Sequence, residues 1–352
     1  MTVRDEPRLF GRTLPEARRR VGALRQLAGA DELVETQGPA RGGRRIVVTS
    51  GGGLALDLHP DRALDIGAVS YRGVPLAWHS PTGFASPALA VDSGTGWLRS
   101  FGGGLLATCG LDAYGPPSLE SGIEYPMHGR VGTVPAAITR SQVADTEIVV
   151  EGEVRQTAVF GENLVLRRRI RIPLGGTSIV VEDRVTNEAA APVGHMVLYH
   201  ANLGWPLIDE GAVLDLPSNA VSPRDADAAS GLEHWDALSA PVPGYDEQVF
   251  RHDFSDRGTA EVSVDNPSLD VRLALRFDTA SLPALHQWKM LGEGHYVLGL
   301  EPTNVDWSLG RAAARDAGVL PILAPGESAD YRLEFHCGPS RARMADEERS
   351  AA

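Results

Sequence analysis

Cysteine is scarce in this sequence: Cys109 and Cys337 are the only two among 352 residues. Neither has a second cysteine at metal-ligand spacing, which excludes a disulfide scaffold and leaves both as expected reduced core residues. Positive charge is short as well, with 33 Lys plus Arg against 46 Asp plus Glu and a formal net charge of −13. So acidic a surface repels phosphate backbones and anionic lipid, which argues against nucleic acid and membrane partners. No apolar run reaches the ~18 residues of a membrane helix. The first eight residues, Met1 to Arg8, lack the apolar core of a signal peptide, so a cytoplasmic location is the expectation. The common catalytic fingerprints are missing too. There is no Gly-x-Ser-x-Gly elbow, no His-Glu-x-x-His and no dinucleotide fingerprint followed by an acidic residue. The runs Gly51-Gly52-Gly53 and Gly102-Gly103-Gly104 lack the Gly-Lys-Ser/Thr of a phosphate loop and are expected as tight turns or close backbone approaches.

What is present is a core. Hydrophobic residues make up 43% of the chain and charged ones 22%, the balance of a globular protein. Leu14, Ala17, Val21, Leu24, Leu27 and Ala28 recur at helical spacing, with Pro15 in the first turn and Gly29 as a stop, predicting one amphipathic helix. Its arginines, Arg18, Arg19, Arg20 and Arg25, read as a solvated face. After Gly43 the period changes to two. Strands are predicted at Arg45–Ser50, Leu54–His59, Ala63–Tyr71, Glu147–Phe160, Leu164–Pro173, Ser178–Glu188 and His195–Leu203. Five more follow at Ala212–Leu216, Glu261–Val264, Val271–Asp278, Tyr296–Glu301 and Asp330–His336, with a short helix near Leu309–Ala317. In the strand predicted at Leu164–Pro173, Leu164, Leu166, Ile170 and Ile172 face one way and Arg167, Arg169 and Arg171 the other, as in an antiparallel strand with one wet face. No linker divides the strands. The expected organisation is a helical segment over 1–44, one large β domain over 45–338 and a frayed tail over 339–352. Asp225–Tyr245 reads as a long loop on or near a binding face.

Several polar residues sit where a β core would not place them. Alternation over 195–203 puts His195, Val197, Tyr199, Ala201 and Leu203 on one face and Met196, Leu198, His200 and Asn202 on the other. Glu301 ends an apolar run directly before Pro302, where burial would raise its pKa toward that of a useful base. His128 and Arg130 lie together in a Gly/Pro-rich stretch, with Trp78 and His79 upstream, a combination suited to sugar or carboxylate contacts.

Taken in order, Leu58-x-Pro60-Asp61-Arg62-Ala63-Leu64-Asp65-Ile66-Gly67, Leu105-Leu106-x-Thr108-Cys109-Gly110, His128-Gly129-Arg130, Tyr199-His200-x-Asn202-x-Gly204 and Gly299-Leu300-Glu301-Pro302-x-Asn304 resemble the aldose 1-epimerase (galactose mutarotase) superfamily, in a branch of unknown function. The resemblance spans Arg45 to Cys337. It implies a large antiparallel β-sandwich binding a small carbohydrate on a concave sheet face, with no cofactor or metal, and allows a homodimer. It also implies roles: Glu301 as the base that takes the anomeric proton, His200 as the acid at the ring oxygen, His128 as a polarising histidine and Arg62 as a sugar contact. Asn202, Asn304 and Arg130 belong to the same motifs and are candidate binding residues. His128 is followed by Gly129-Arg130 where the family has two glycines, and Asp246 is the candidate for the family's hydroxyl-binding aspartate. Gln287 and Lys289 would bring a cation to the pocket, suiting an acidic sugar. Besides anomer interconversion, two functions stay open: a metal-dependent isomerase or lyase using His128, His200 and Glu301 as ligands, and a non-catalytic sugar-binding module.

Overall fold

The computed structural model describes residues 6–306, 309–344 and 349. Three antiparallel sheets hold nineteen of its strands. In chain order these are β1 (Gly29–Val34), β2 (Arg44–Thr49), β3 (Leu54–His59), β4 (Asp65–Tyr71), β5 (Val74–Pro75), β6 (Ala107–Cys109), β7 (Ala137–Val143), β8 (Glu147–Thr157), β9 (Asn163–Pro173), β10 (Ser178–Asn187), β11 (Leu198–Gly204), β12 (Val213–Asp215), β13 (Ala220–Pro223), β14 (Gln248–Asp253), β15 (Thr259–Asn266), β16 (Val271–Asp278), β17 (Ala284–Gly292), β18 (His295–Thr303) and β19 (Ser328–Gly338). Strands β1 to β5 pair consecutively. The eight-stranded sheet runs β7-β8-β9-β10-β19-β16-β15-β12, and the six-stranded sheet β13-β14-β17-β18-β11-β6.

The period-two pattern explains how the sheets stack. On β9, Leu164, Leu166, Ile170 and Ile172 are buried. On its outer face Arg167, Arg169 and Arg171 pair across the ladder with Glu153, Glu151 and Glu147. One continuous apolar cluster takes Ile46 and Leu58 from the first sheet, Ile148, Val181 and Phe335 from the eight-stranded sheet, and Tyr199, Leu203 and Leu298 from the six-stranded sheet. The architecture is therefore the large antiparallel β-sandwich that the resemblance implies. No helix among the described residues is long and apolar enough to cross a membrane.

Inside this apolar layer sits a charge that alternation places there, between Leu166 and Ile170 on the inward face of β9. Arg168 on β9 has no exposed side-chain surface, and its guanidinium reaches Asp65 at 2.7 Å and Asp183 at 2.7 Å. Thr108 Oγ1 accepts from it, and Tyr199 donates to Asp183. Two carboxylates and two hydroxyls thus surround one buried cation, tying β4, β6, β9, β10 and β11 together.

Three expectations need correction. The helix expected over 14–28 is only α1 (Leu14–Arg18), closed by a capping box in which Thr13 and Glu16 satisfy each other. The remaining apolar spacing is spent on a short 3₁₀ turn, Leu24–Gln26, and Gly29 opens β1 instead of stopping a helix, because pairing with β2 satisfies its backbone. Residues 6–44 therefore contribute strands as well as a helix. Of the tail, residues 339–344 are held: buried Ser340 bonds to Asp270, and Arg341 and Arg343 pair with Asp215 and Asp270. Most of what remains of the expected frayed segment lies outside the described residues.

Candidate active site

Strand β18 is the axis of the site. Its neighbour β17 places His286 directly opposite Glu301. Its other neighbour, β11, brings His200 Nε2 to 3.2 Å from Glu301 Oε1. Directly opposed residues of an antiparallel pair share a face, so three titratable groups stand in a row across adjacent strands. His128 completes the group from a loop. Its backbone is left-handed (φ 57°) and pinned by bonds from Gly110 N to its carbonyl and from its own N to Gly115 O. The ring packs 4.4 Å from Trp97 and 5.8 Å from His200 between ring centres.

These four line a cavity of about 460 Å³ walled by Trp97, Phe101 and Trp288, with Arg224 and Glu247 at its edge. The glycine run allows this wall. A Cβ on Gly103 (φ 75°) would lie 2.5 Å from Trp78 O and one on Gly104 2.6 Å from Ile66 O, so only glycine lets the segment behind Phe101 come so close.

Burial dominates the electrostatics. It pushes Glu301 up to about 8, a rise that Glu247 adds to and Arg224 partly opposes. Burial also lowers His128 to about 4 and His200 well below its ordinary range, the latter helped by the neighbouring His128. His286 falls to about 3, through burial and then the cations Arg251 and Arg224. At neutral pH the row therefore holds a protonated carboxyl between neutral imidazoles. His200 and Glu301 are close enough to exchange a proton but not aligned as a hydrogen bond. Glu301 Oε1, His200 Nδ1, His128 Nδ1 and His286 Nε2 are all buried without a hydrogen-bond partner in the protein. Buried polar atoms are normally satisfied, so each of the four groups lining the cavity carries an unmet hydrogen-bonding need.

Of the residues singled out by sequence, Glu301, His200 and His128 converge here. The others do not line the cavity. Arg62 donates to Ala85 O and Ser100 O, bracing the wall from behind. Asn202 is buried and donates to Gly104 O and His200 O. Asn304 accepts from Val197 N and donates to His195 O, fastening β18 to the start of β11. Arg130 donates to Glu124 O. Asp246 is exposed, and the next residue, Glu247, is the one at the cavity, accepting from Trp288 Nε1 at 2.9 Å. Gln287 and Lys289 point away because β17 alternates: His286 and Trp288 face the cavity, so their neighbours face the back. There Gln287 donates to Trp235 O, and Lys289, the sequence's only lysine, to His234 O. They clamp the segment expected as a loop over 225–245, which begins with the short helix α2 (Ala226–Ser230), and they bring no cation to the cavity. His286, Trp288, Arg224 and Glu247 escaped the sequence reading. The alternating His286-x-Trp288 was the one available signal.

Among the described residues no group of three or more His, Cys, Asp or Glu is placed to hold a metal ion. The metal-ligand reading of His128, His200 and Glu301 thus lacks its geometry. A larger groove of about 750 Å³ lies on the other side of Trp78, lined by Arg45, Asp57, Trp205 and Tyr296. Its charges are spent on one another, Glu35 to Arg45 to Asp57, and none of the four cavity groups reaches it.

Fold and cavity define the class: this is a galactose mutarotase-like β-sandwich. A proposed aldose 1-epimerase of Klebsiella pneumoniae superposes with a TM-score of 0.84 at 29% identity, over 91% of this chain and 86% of that one. The fold is shared by a galactose mutarotase-like protein of Clostridium acetobutylicum, with TM-score 0.65, 12% identity and 89% and 99% of the two chains covered. It is shared also by galactose 1-epimerase of Lactobacillus acidophilus, with TM-score 0.57, 11% identity and coverage of 89% and 100%. Residues 40–337 match the model of a domain of unknown function, DUF4432, and the chain belongs to that family. No curated protein matches it.

Proposed function

We propose that this protein interconverts the α and β anomers of a free sugar or sugar derivative by general acid–base catalysis, without a cofactor. The observation that carries the reading is the His200–Glu301 pair, 3.2 Å apart and buried in the cavity. Opening a hemiacetal takes one proton from the anomeric hydroxyl and gives one to the ring oxygen. A pair that holds one proton between two adjacent groups supplies both functions. With the proton on His200, Glu301 is the base and His200 the acid. With the proton on Glu301, the roles are those needed to close the ring after rotation about the C1–C2 bond. The aromatic walls suit the apolar faces of a sugar ring, and His128 lies against the same pair. Binding alone would need no such couple, which favours catalysis over a binding module.

The test is magnetisation-exchange NMR on a panel of free sugars, uronates and keto-sugars. Accelerated α to β exchange is expected for at least one, and its absence across the panel would refute the proposal.

A further inference from the structure

Anomerisation uses two groups, yet the row across the sheet has three. His286 faces Glu301 from β17, the strand on the side away from His200. It is 3% exposed and its Nε2 is orphaned. Adjacent strands lie ~4.8 Å apart, so the row from His200 through Glu301 to His286 covers about 10 Å of backbone, enough to follow one side of a sugar ring. The anomeric carbon bears the ring oxygen, the hydroxyl and C2. With His200 at the ring oxygen and Glu301 at the hydroxyl, continuing along the row leads to C2. We infer that His286 is a substrate-contacting, specificity-determining residue whose imidazole hydrogen-bonds the 2-hydroxyl, so that the site selects aldoses bearing oxygen at C2 over 2-deoxy sugars.

This inference rests on the acid–base reading of the His200–Glu301 pair. The chemistry of the site supports it. Arg251 pairs with Asp306 and Arg224 with Asp225 and Glu247, so these cations are engaged while still disfavouring a charge on His286. A neutral imidazole nitrogen suits a neutral hydroxyl, and leaving that nitrogen empty penalises the analogue that lacks the oxygen. Had the row run the other way, with Glu301 at the ring oxygen, His286 would meet the substituent at C5 instead.

The experiment compares D-galactose, D-glucose and D-ribose with their 2-deoxy forms, and D-galactose with 6-deoxy-D-galactose, reading both anomer exchange and ligand-observed NMR binding. The expected result is a loss of at least about tenfold in kcat/KM for the 2-deoxy member and a smaller change for the 6-deoxy sugar. In His286→Phe the gap between a sugar and its 2-deoxy form should close toward one. Equal rates for a pair in the wild-type protein, or a loss confined to the 6-deoxy sugar, overturns the inference whether or not the variant folds. Binding that discriminates at C2 without exchange of either sugar keeps the inference and retires the acid–base reading. Neither binding nor exchange of any pair overturns both.

Discussion

Replacing Glu301 by glutamine should make the protein's stability less sensitive to alkali, by an amount the burial of the site fixes. The carboxyl rises from an ordinary 4.5 to about 8. At ~1.4 kcal/mol per pH unit, ionised Glu301 is about 5 kcal/mol costlier in the folded than in the unfolded chain. The folded pKa is raised, so the stability that protonated Glu301 contributes is complete below pH 4.5 and drains away as pH climbs toward 8. Glutamine keeps the shape and cannot ionise, and any fixed cost of burying its amide is the same at every pH. Urea unfolding of both proteins at about pH 5 and about pH 8 should therefore show the difference shifting toward the variant by about 4 kcal/mol. A difference that stays constant within about 1 kcal/mol would mean that Glu301 titrates like a surface carboxylate, and the burial argument would fall.

The same proton bookkeeping governs activity. Anomer exchange should fall ~10²- to 10⁴-fold in Glu301→Gln and in His200→Asn, both still folded by circular dichroism. In the wild type it should decline above pH about 8, as the shared proton is lost. His128 and His286, lowered to about 4 and about 3, contribute stability that is present above pH 6.5 and lost as pH falls through those values. Thermal unfolding at a series of acidic pH values should show this, and His128→Gln should flatten the dependence. Arg168→Met leaves Asp65 and Asp183 facing each other unpaired and should cost about 3–5 kcal/mol by denaturant unfolding, unlike the surface change Arg184→Met, expected at under about 1 kcal/mol. Exhaustive EDTA treatment should leave exchange intact, whereas loss restored by one metal would favour the isomerase or lyase chemistry.

How much of this was legible in the sequence follows from the kind of signal each part carries. Strands with a regular period-two pattern announced themselves: β3 and β16 lie where alternation puts them, and β9 within a residue. β17 was missed because neither face reads as apolar, one carrying His286 and Trp288, the other Gln287 and Lys289. β14 fails for the same reason, with His252 buried behind the site and Arg251 on the His286 side. His200 and Glu301 stood out because each interrupts an apolar run. Arg224 and Glu247 lie in polar surroundings that give no such contrast, and only the sheet order brings them to the cavity. The motif residues Arg62, Asn202 and Asn304 mark the fold's bracing as much as its chemistry, a distinction that depends on side-chain direction.

Strand β19 is made after every other strand of the eight-stranded sheet, yet it lies inside that sheet, between β10 and β16. During synthesis the half-sheets β7 to β10 and β16 to β12 can each form, but until residues 328–338 leave the ribosome both present a bare, apolar strand edge. Such edges are templates for mispairing with another chain. The nascent protein thus passes through a window in which its greatest hazard is another copy of itself. That window closes with a single insertion, when Leu333 and Phe335 fill the seam and pair Val181 and Ile179 on one side with Phe277 and Leu275 on the other.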